Sequence, residues 1–261
     1  MPSAVARTPD RAGWRDLTPS ASSLFVVAAV AWIGVVALAR DMDPMSGTMG
    51  YGFFAFAAVW ALMMVAMMLP SVAPFAALYT RSFTNRRGRR MVAFVGGYVV
   101  VWSAAAVPAF ALGWAADRLV SDHPLGAHAL AVAIFAVCGI YQLTPLKDRC
   151  LARCRSPLGF MVKYGNGRGP VHDLEVGLRH GAFCLACCWA LMLVLVAFGL
   201  MNMGALVALA AVVLAEKQWR WGARFGRVVG IVALVLAALV VVWPGLAPGL
   251  HYAVAPTMGG M

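Results

Sequence analysis

Charge is what this chain has least of. Only 12% of its 261 residues are Asp, Glu, Lys or Arg, and only 10 of them are acidic. A soluble domain of this size normally carries about twice that share of charge, so the composition argues against a soluble globule. Histidine is also scarce, at five residues, which weakens any reading built on a His-rich, oxygen-activating metal site. No GxxxxGK[ST] phosphate loop occurs, so nothing points to nucleotide-driven work. Low-complexity tracts, internal repeats and long linkers are likewise missing, which leaves one domain. Residues 1–20 hold Arg7, Arg11, Arg15, Pro9 and Pro19 and lack the short apolar core and small-residue cleavage pattern of a signal peptide.

What the chain has is apolar sequence, 62% by residue. Runs near the ~20 residues needed to cross hydrocarbon recur throughout, at roughly 21–39, 52–79, 92–115, 127–146, 175–200, 203–221 and 226–243. The expectation is an all-α, polytopic transmembrane bundle of about seven spans. Residues 1–20 form a cytoplasmic tail, 21–243 the transmembrane domain and 244–261 an external tail. The sixth run is the weakest, because Glu216 and Lys217 interrupt it.

Basic residues set the orientation. They gather in the N-terminal tail, in 80–91, in 147–174, in 216–227 and, as Arg179, at the adjoining end of the fifth run; only Arg40 and Arg118 fall elsewhere. Asp41, Asp43, Asp117 and Asp122 lie on the opposite side. The expected location is a bacterial inner membrane with the N-terminus inside. The net charge of +11 is then a set of helix flanks, not a surface for nucleic acid.

Soft metal ligands stand out against this background. The fifth run contains His180, Cys184, Cys187, Cys188 and Trp189. At about 3.6 residues per turn, His180, Cys184 and Cys187 share a helix face and Cys188 borders it. Polar groups at membrane depth are costly and point to function, and thiolate with imidazole suits Cu(I) or Zn(II). Met63, Met64, Met67 and Met68 form two i, i+4 pairs just ahead of Pro70 and Pro74. Methionine is also an ordinary core filler. Both sets fall within the hydrocarbon, so the two helices are expected to offer sulfur to one ion, while the prolines kink or loosen the second run.

Cys150 and Cys154 form a further i, i+4 pair on the inner side, among Lys147, Arg149, Arg153 and Arg155, a setting that favours thiolate. Met42, Met45, Met49, Met201, Met203, Met258, Met261 and His251 lie on the outer side as scattered candidates for metal capture. His123 and His128 read as interfacial polar residues, and Cys138 as packing. Glu216 and Lys217 read as an interfacial ion pair, with each other or with Arg179.

The stretches Met63-Met64-Val-Ala-Met67-Met68-Leu-Pro70, Cys150-Leu-Ala-Arg-Cys154-Arg and His180-Gly-Ala-Phe-Cys184-Leu-Ala-Cys187-Cys188-Trp189, with Glu216-Lys217, resemble the bacterial family of predicted metal-binding integral membrane proteins, over about residues 40–243. The resemblance implies a polytopic helical fold and metal binding. It supplies no reaction. Three functions follow from the ligands. One is a membrane protein that moves Cu(I) or holds it for delivery. The others are a membrane metalloenzyme with copper or iron, for oxidation or electron transfer, and a thiol-disulfide oxidoreductase. Copper is the favoured ion, with zinc or iron as alternatives. Whether the chain is an enzyme is open. The partners are the lipid bilayer and a soluble protein that donates or accepts metal, nucleic acid is not among them, and an oligomer is compatible with the sequence.

A reporter inserted at residue 88 is expected to be protected inside the cell, and one fused at the C-terminus to be accessible from outside. An internal C-terminus would remove one crossing from the scheme.

Overall fold

The computed structural model describes residues 19–40, 47–81, 87–156, 164 and 169–251. Among these residues the regular structure is helical, with no strand. In chain order the helices are α1 (Pro19–Arg40), α2 (Phe53–Arg81), α3 (Arg87–Ala104), α4 (Ala106–Asp122), α5 (Pro124–Gln142), α6 (Pro145–Arg155), α7 (Pro170–Phe198), α8 (Met203–Gln218) and α9 (Gly222–Val242). The all-α bundle expected from the sequence is what is found.

Among the described residues six helical segments are long and apolar enough to cross a membrane: Ser22–Arg40, Phe53–Tyr79, Gly88–Asp122, Pro124–Gln142, Pro170–Phe198 and Gly222–Val242. The difference from the expected seven falls on 203–221. There α8 is only 16 residues long, about 24 Å at the helical rise. It ends where Trp219 turns extended, and Gly222, where a Cβ would collide with the Glu216 carbonyl, starts α9 at once. The third segment differs too. The run expected over 92–115 is a 35-residue rod, Gly88–Asp122, broken at Ala105 into α3 and α4. Pro108 has no N–H for the Ala104 carbonyl and its ring crowds it, which accounts for the break. Pro70 and Pro74, by contrast, lie inside an α2 that stays helical throughout.

Helices α3 and α7 form the most extensive packed pair. Glycine makes their approach possible. A Cβ on Gly97 would collide with the Leu174 carbonyl, and one on Gly177 with the Phe94 carbonyl. Small residues let two backbones come this close. At the start of α7 the buried Asp173 takes a bidentate pair from Arg90, Nε at 2.7 Å and Nη2 at 2.6 Å, and a 2.5 Å hydrogen bond from the Tyr79 hydroxyl. One carboxylate thus joins α2, α3 and α7. At the opposite end Asp117 of α4 accepts from the Gly47 and Thr48 amides and the Thr48 hydroxyl, anchoring the approach to α2.

Other caps are local. Thr144 accepts from the Lys147 amide at 3.2 Å ahead of Pro145, so α6 starts with a side-chain cap and proline at its first position. Asn202 does the same for α8 through the Ala205 amide at 3.1 Å. The remaining interface of note joins α5 to α9, where Gly139 and Gly230 let the backbones meet.

Gly177→Ala is expected to push α3 and α7 apart and to cost about 1–3 kcal/mol, the range for overpacking a filled interface. Thermal unfolding of the purified variant measures it. An unchanged midpoint would show that the interface has slack.

Candidate functional site

The middle of α7 turns two faces to different surroundings. Leu178, Ala182, Leu185, Ala186, Trp189 and Leu193 line an almost wholly apolar groove of about 770 Å³ against Trp102 and the α3–α4 break. The opposite face carries Cys184, Cys187 and Cys188, all buried, and on that side lie the buried Lys147, Glu216 and Lys217.

Three neighbouring elements supply the partners. From α6, Cys154 brings its Sγ to 3.9 Å from that of Cys187. Within α7, the Cys187 and Cys188 sulfurs are 3.3 Å apart, and the Cys187 thiol donates to the Cys184 carbonyl at 3.1 Å. Cys184 sulfur meets the Tyr98 hydroxyl of α3 at 3.0 Å and the Lys217 ammonium of α8 at 2.8 Å. Lys217 also donates to the Ser71 hydroxyl of α2 at 3.2 Å, which in turn donates to the Met68 carbonyl at 2.8 Å.

A second charged group closes the inner side. Lys147 of α6 is buried and donates to Glu216 Oε2 and to the Cys187 carbonyl, both at 2.7 Å. Gln142 donates to Glu216 Oε1 at 2.7 Å. Gly226 leaves room for this carboxylate; a Cβ there would lie 3.2 Å from Oε1. A buried ion pair is tolerated only when further hydrogen bonds satisfy its remaining atoms, and both partners have them.

The structure brings some expected ligands together and separates others. Cys154, Cys184, Cys187 and Cys188 form one connected group. His180 shares their helix but its ring packs on Phe75, with centroids 4.1 Å apart, and near Phe94 and Tyr98. Met63, Met64, Met67 and Met68 are all buried, so the methionine stripe faces the protein interior. Lys217 touches Ser71 of α2 and Cys184 of α7 at once. Cys150 is buried near its partner Cys154 on α6. Cys138 is buried within α5. Among the described residues no three His, Cys, Asp or Glu side chains are disposed to hold one metal ion together.

The outer candidates are only partly among the described residues. Met49 and Met201 are buried, and His128 contacts the Val240 carbonyl at 2.9 Å. Met42, Met45, Met258 and Met261 lie outside the described residues.

The pairing expected for Glu216 and Lys217 is corrected by the structure. They pair neither with each other nor with Arg179: Glu216 takes Lys147, Lys217 takes Cys184, and Arg179 pairs with Glu175 at 2.6 Å. Adjacent residues on a helix point about 100° apart, so each finds a different wall. Lys147, read from sequence as one more cytoplasmic flank charge, is buried instead. Tyr98 and Ser71 carried no signal in the sequence at all.

A helical bundle with buried thiols held among lysines defines a class that handles soft ions. A family model described as PpoB2, a copper chaperone, matches residues 57–240. The chain belongs to this copper chaperone family. That range contains every thiol and lysine of the cluster, and membership agrees with copper as the favoured ion. No curated protein and no solved structure matches the chain.

Removing one member of the Lys147–Glu216 pair is expected to cost about 3–5 kcal/mol, because the other charge is left buried and alone. Lys147→Met and Glu216→Gln together should recover most of that loss. Chemical denaturation of the two single variants and the double variant gives the coupling; additive losses would show that the pair is not energetically linked.

Proposed function

We propose that this protein is a membrane-embedded copper chaperone that holds Cu(I) on the buried thiols between α6 and α7 and passes it on. The observation that carries this reading is the sulfur contact between two helices: Cys154 Sγ lies 3.9 Å from Cys187 Sγ, with Cys188 Sγ a further 3.3 Å on. Soft thiolates suit Cu(I), as they do Zn(II), and the copper chaperone family model favours copper. Pairs of thiols suit an ion that accepts few ligands, whereas a structural zinc site uses four.

Six long apolar helical segments among the described residues are compatible with a membrane setting; in this reading the cluster lies within the bilayer and Cys150 and Cys154 face the cytoplasm. Helix α6 is short and its last turn carries the exposed Arg153 and the partly exposed Arg155 beside the half-buried Cys154. Cys154 is therefore the thiol through which an ion passes between the interior cysteines and a soluble donor or acceptor. Met67 and Met68, buried on α2, offer further soft ligands beyond the thiols. The exchange is a ligand-by-ligand transfer of Cu(I), with no change in its oxidation state and no nucleotide.

Anaerobic titration of the purified full-length protein with a Cu(I) complex is expected to give stoichiometric binding that competes with a chromophoric chelator. Cys187→Ser and Cys184→Ser should each lose most of it, while Cys138→Ser, on α5 and outside the group of contacting thiols, keeps it. Wild-type protein without bound Cu(I), or serine variants that retain it, would overturn the assignment.

A further inference from the structure

The Cu(I)-carrying reading leaves one residue without a role. Lys217 is 8% exposed, and its ammonium contacts the Cys184 sulfur at 2.8 Å and the Ser71 hydroxyl at 3.2 Å. The other nearby lysine, Lys147, has its own carboxylate in Glu216. The Lys217 ammonium has none: its described partners are a sulfur and a hydroxyl. An ammonium held in an apolar interior demands an adjacent negative charge, and the atom in contact that can carry one is Cys184 Sγ.

We infer that Lys217 is a specificity-determining residue that selects a monovalent soft cation over a divalent one by charge. The inference rests on the proposed Cu(I) function and adds to it the basis of discrimination. Two thiolates around Cu(I) carry a net charge of −1, which the ammonium balances. Around Zn(II) the same two thiolates sum to zero, and the ammonium is left unbalanced where water cannot solvate it. A third thiolate would restore the balance for a divalent ion. Among the described residues no three His, Cys, Asp or Glu side chains are disposed to hold one ion together.

The neighbouring charges do not upset this count. Glu216 is engaged by Lys147 and Gln142, Tyr98 contributes a neutral hydroxyl, and Ser71 a neutral hydroxyl from α2. Asp173, Arg90 and Tyr79 form their own closed group at the start of α7. Among the described residues the cluster therefore has one ammonium with no carboxylate partner, and it is Lys217.

The test is a competition between Cu(I) and Zn(II) on the full-length protein in detergent, under anaerobic conditions, with chelators that buffer each metal. Wild type is expected to take Cu(I) and leave Zn(II). Lys217→Gln should lose about 100-fold in Cu(I) affinity relative to Zn(II), from the loss of one unit charge in contact with the complex. Lys217→Leu, which keeps the bulk without the charge, should do the same and serves if the glutamine variant does not purify. Arg179→Gln removes a unit charge outside the cluster and should leave the metal ratio unchanged. An unchanged ratio in both Lys217 variants, or an Arg179→Gln shift as large as theirs, would overturn the inference. Failure of the wild type to bind Cu(I) would instead defeat the chaperone reading beneath it.

Discussion

Two ammonium groups and a carboxylate lie where the surrounding side chains offer no water, and the rest of the site is arranged around that constraint. Moving a charge out of water costs several kcal/mol even after relaxation. Each must therefore find a partner at contact distance. Lys147 and Glu216 find each other at 2.7 Å, and in doing so hold α6 against α8. Lys217 finds Cys184 and holds α8 against α7. The thiols are positioned by these electrostatic ties as much as by packing.

The packing supplies the frame in which such ties are possible. Gly97 and Gly177 bring α3 and α7 into backbone contact, which delivers the Tyr98 hydroxyl to Cys184. Asp173 fixes the lower ends of α2, α3 and α7 with three hydrogen bonds, so the rotation of α7 is set before its cysteines begin. That rotation decides which face meets the apolar groove and which meets the lysines. A bundle held only by leucine and valine would not distinguish the two faces so sharply, because burial energy is not directional.

Membership of a copper chaperone family and a buried group of four thiols are consistent with each other in chemical terms. Sulfur is the ligand that copper in its lower oxidation state prefers, and buried cysteine is shielded from adventitious exchange. His180, despite its spacing, serves an aromatic pocket with Phe75, Phe94 and Tyr98. Four of the thiols are joined across α6 and α7, a link no single-helix pattern contains.

The sequence by itself determined the all-α architecture, since apolar runs near 20 residues with polar breaks allow little else. It also determined that Cys184, Cys187 and Cys188 share a side of one helix, because helical spacing is a local property. The methionine stripe and the α6 pair were legible for the same reason. Only the tertiary structure decided that Cys154 reaches Cys187, that Lys147 is interior, and that Glu216 and Lys217 turn to different partners. Those contacts join residues 33 to 69 positions apart. Long-range pairing depends on how whole helices rotate and approach, and close approach turned on single glycines such as Gly177. The short reach of α8 was likewise settled by the Trp219–Gly222 turn, whose geometry no hydropathy count contains.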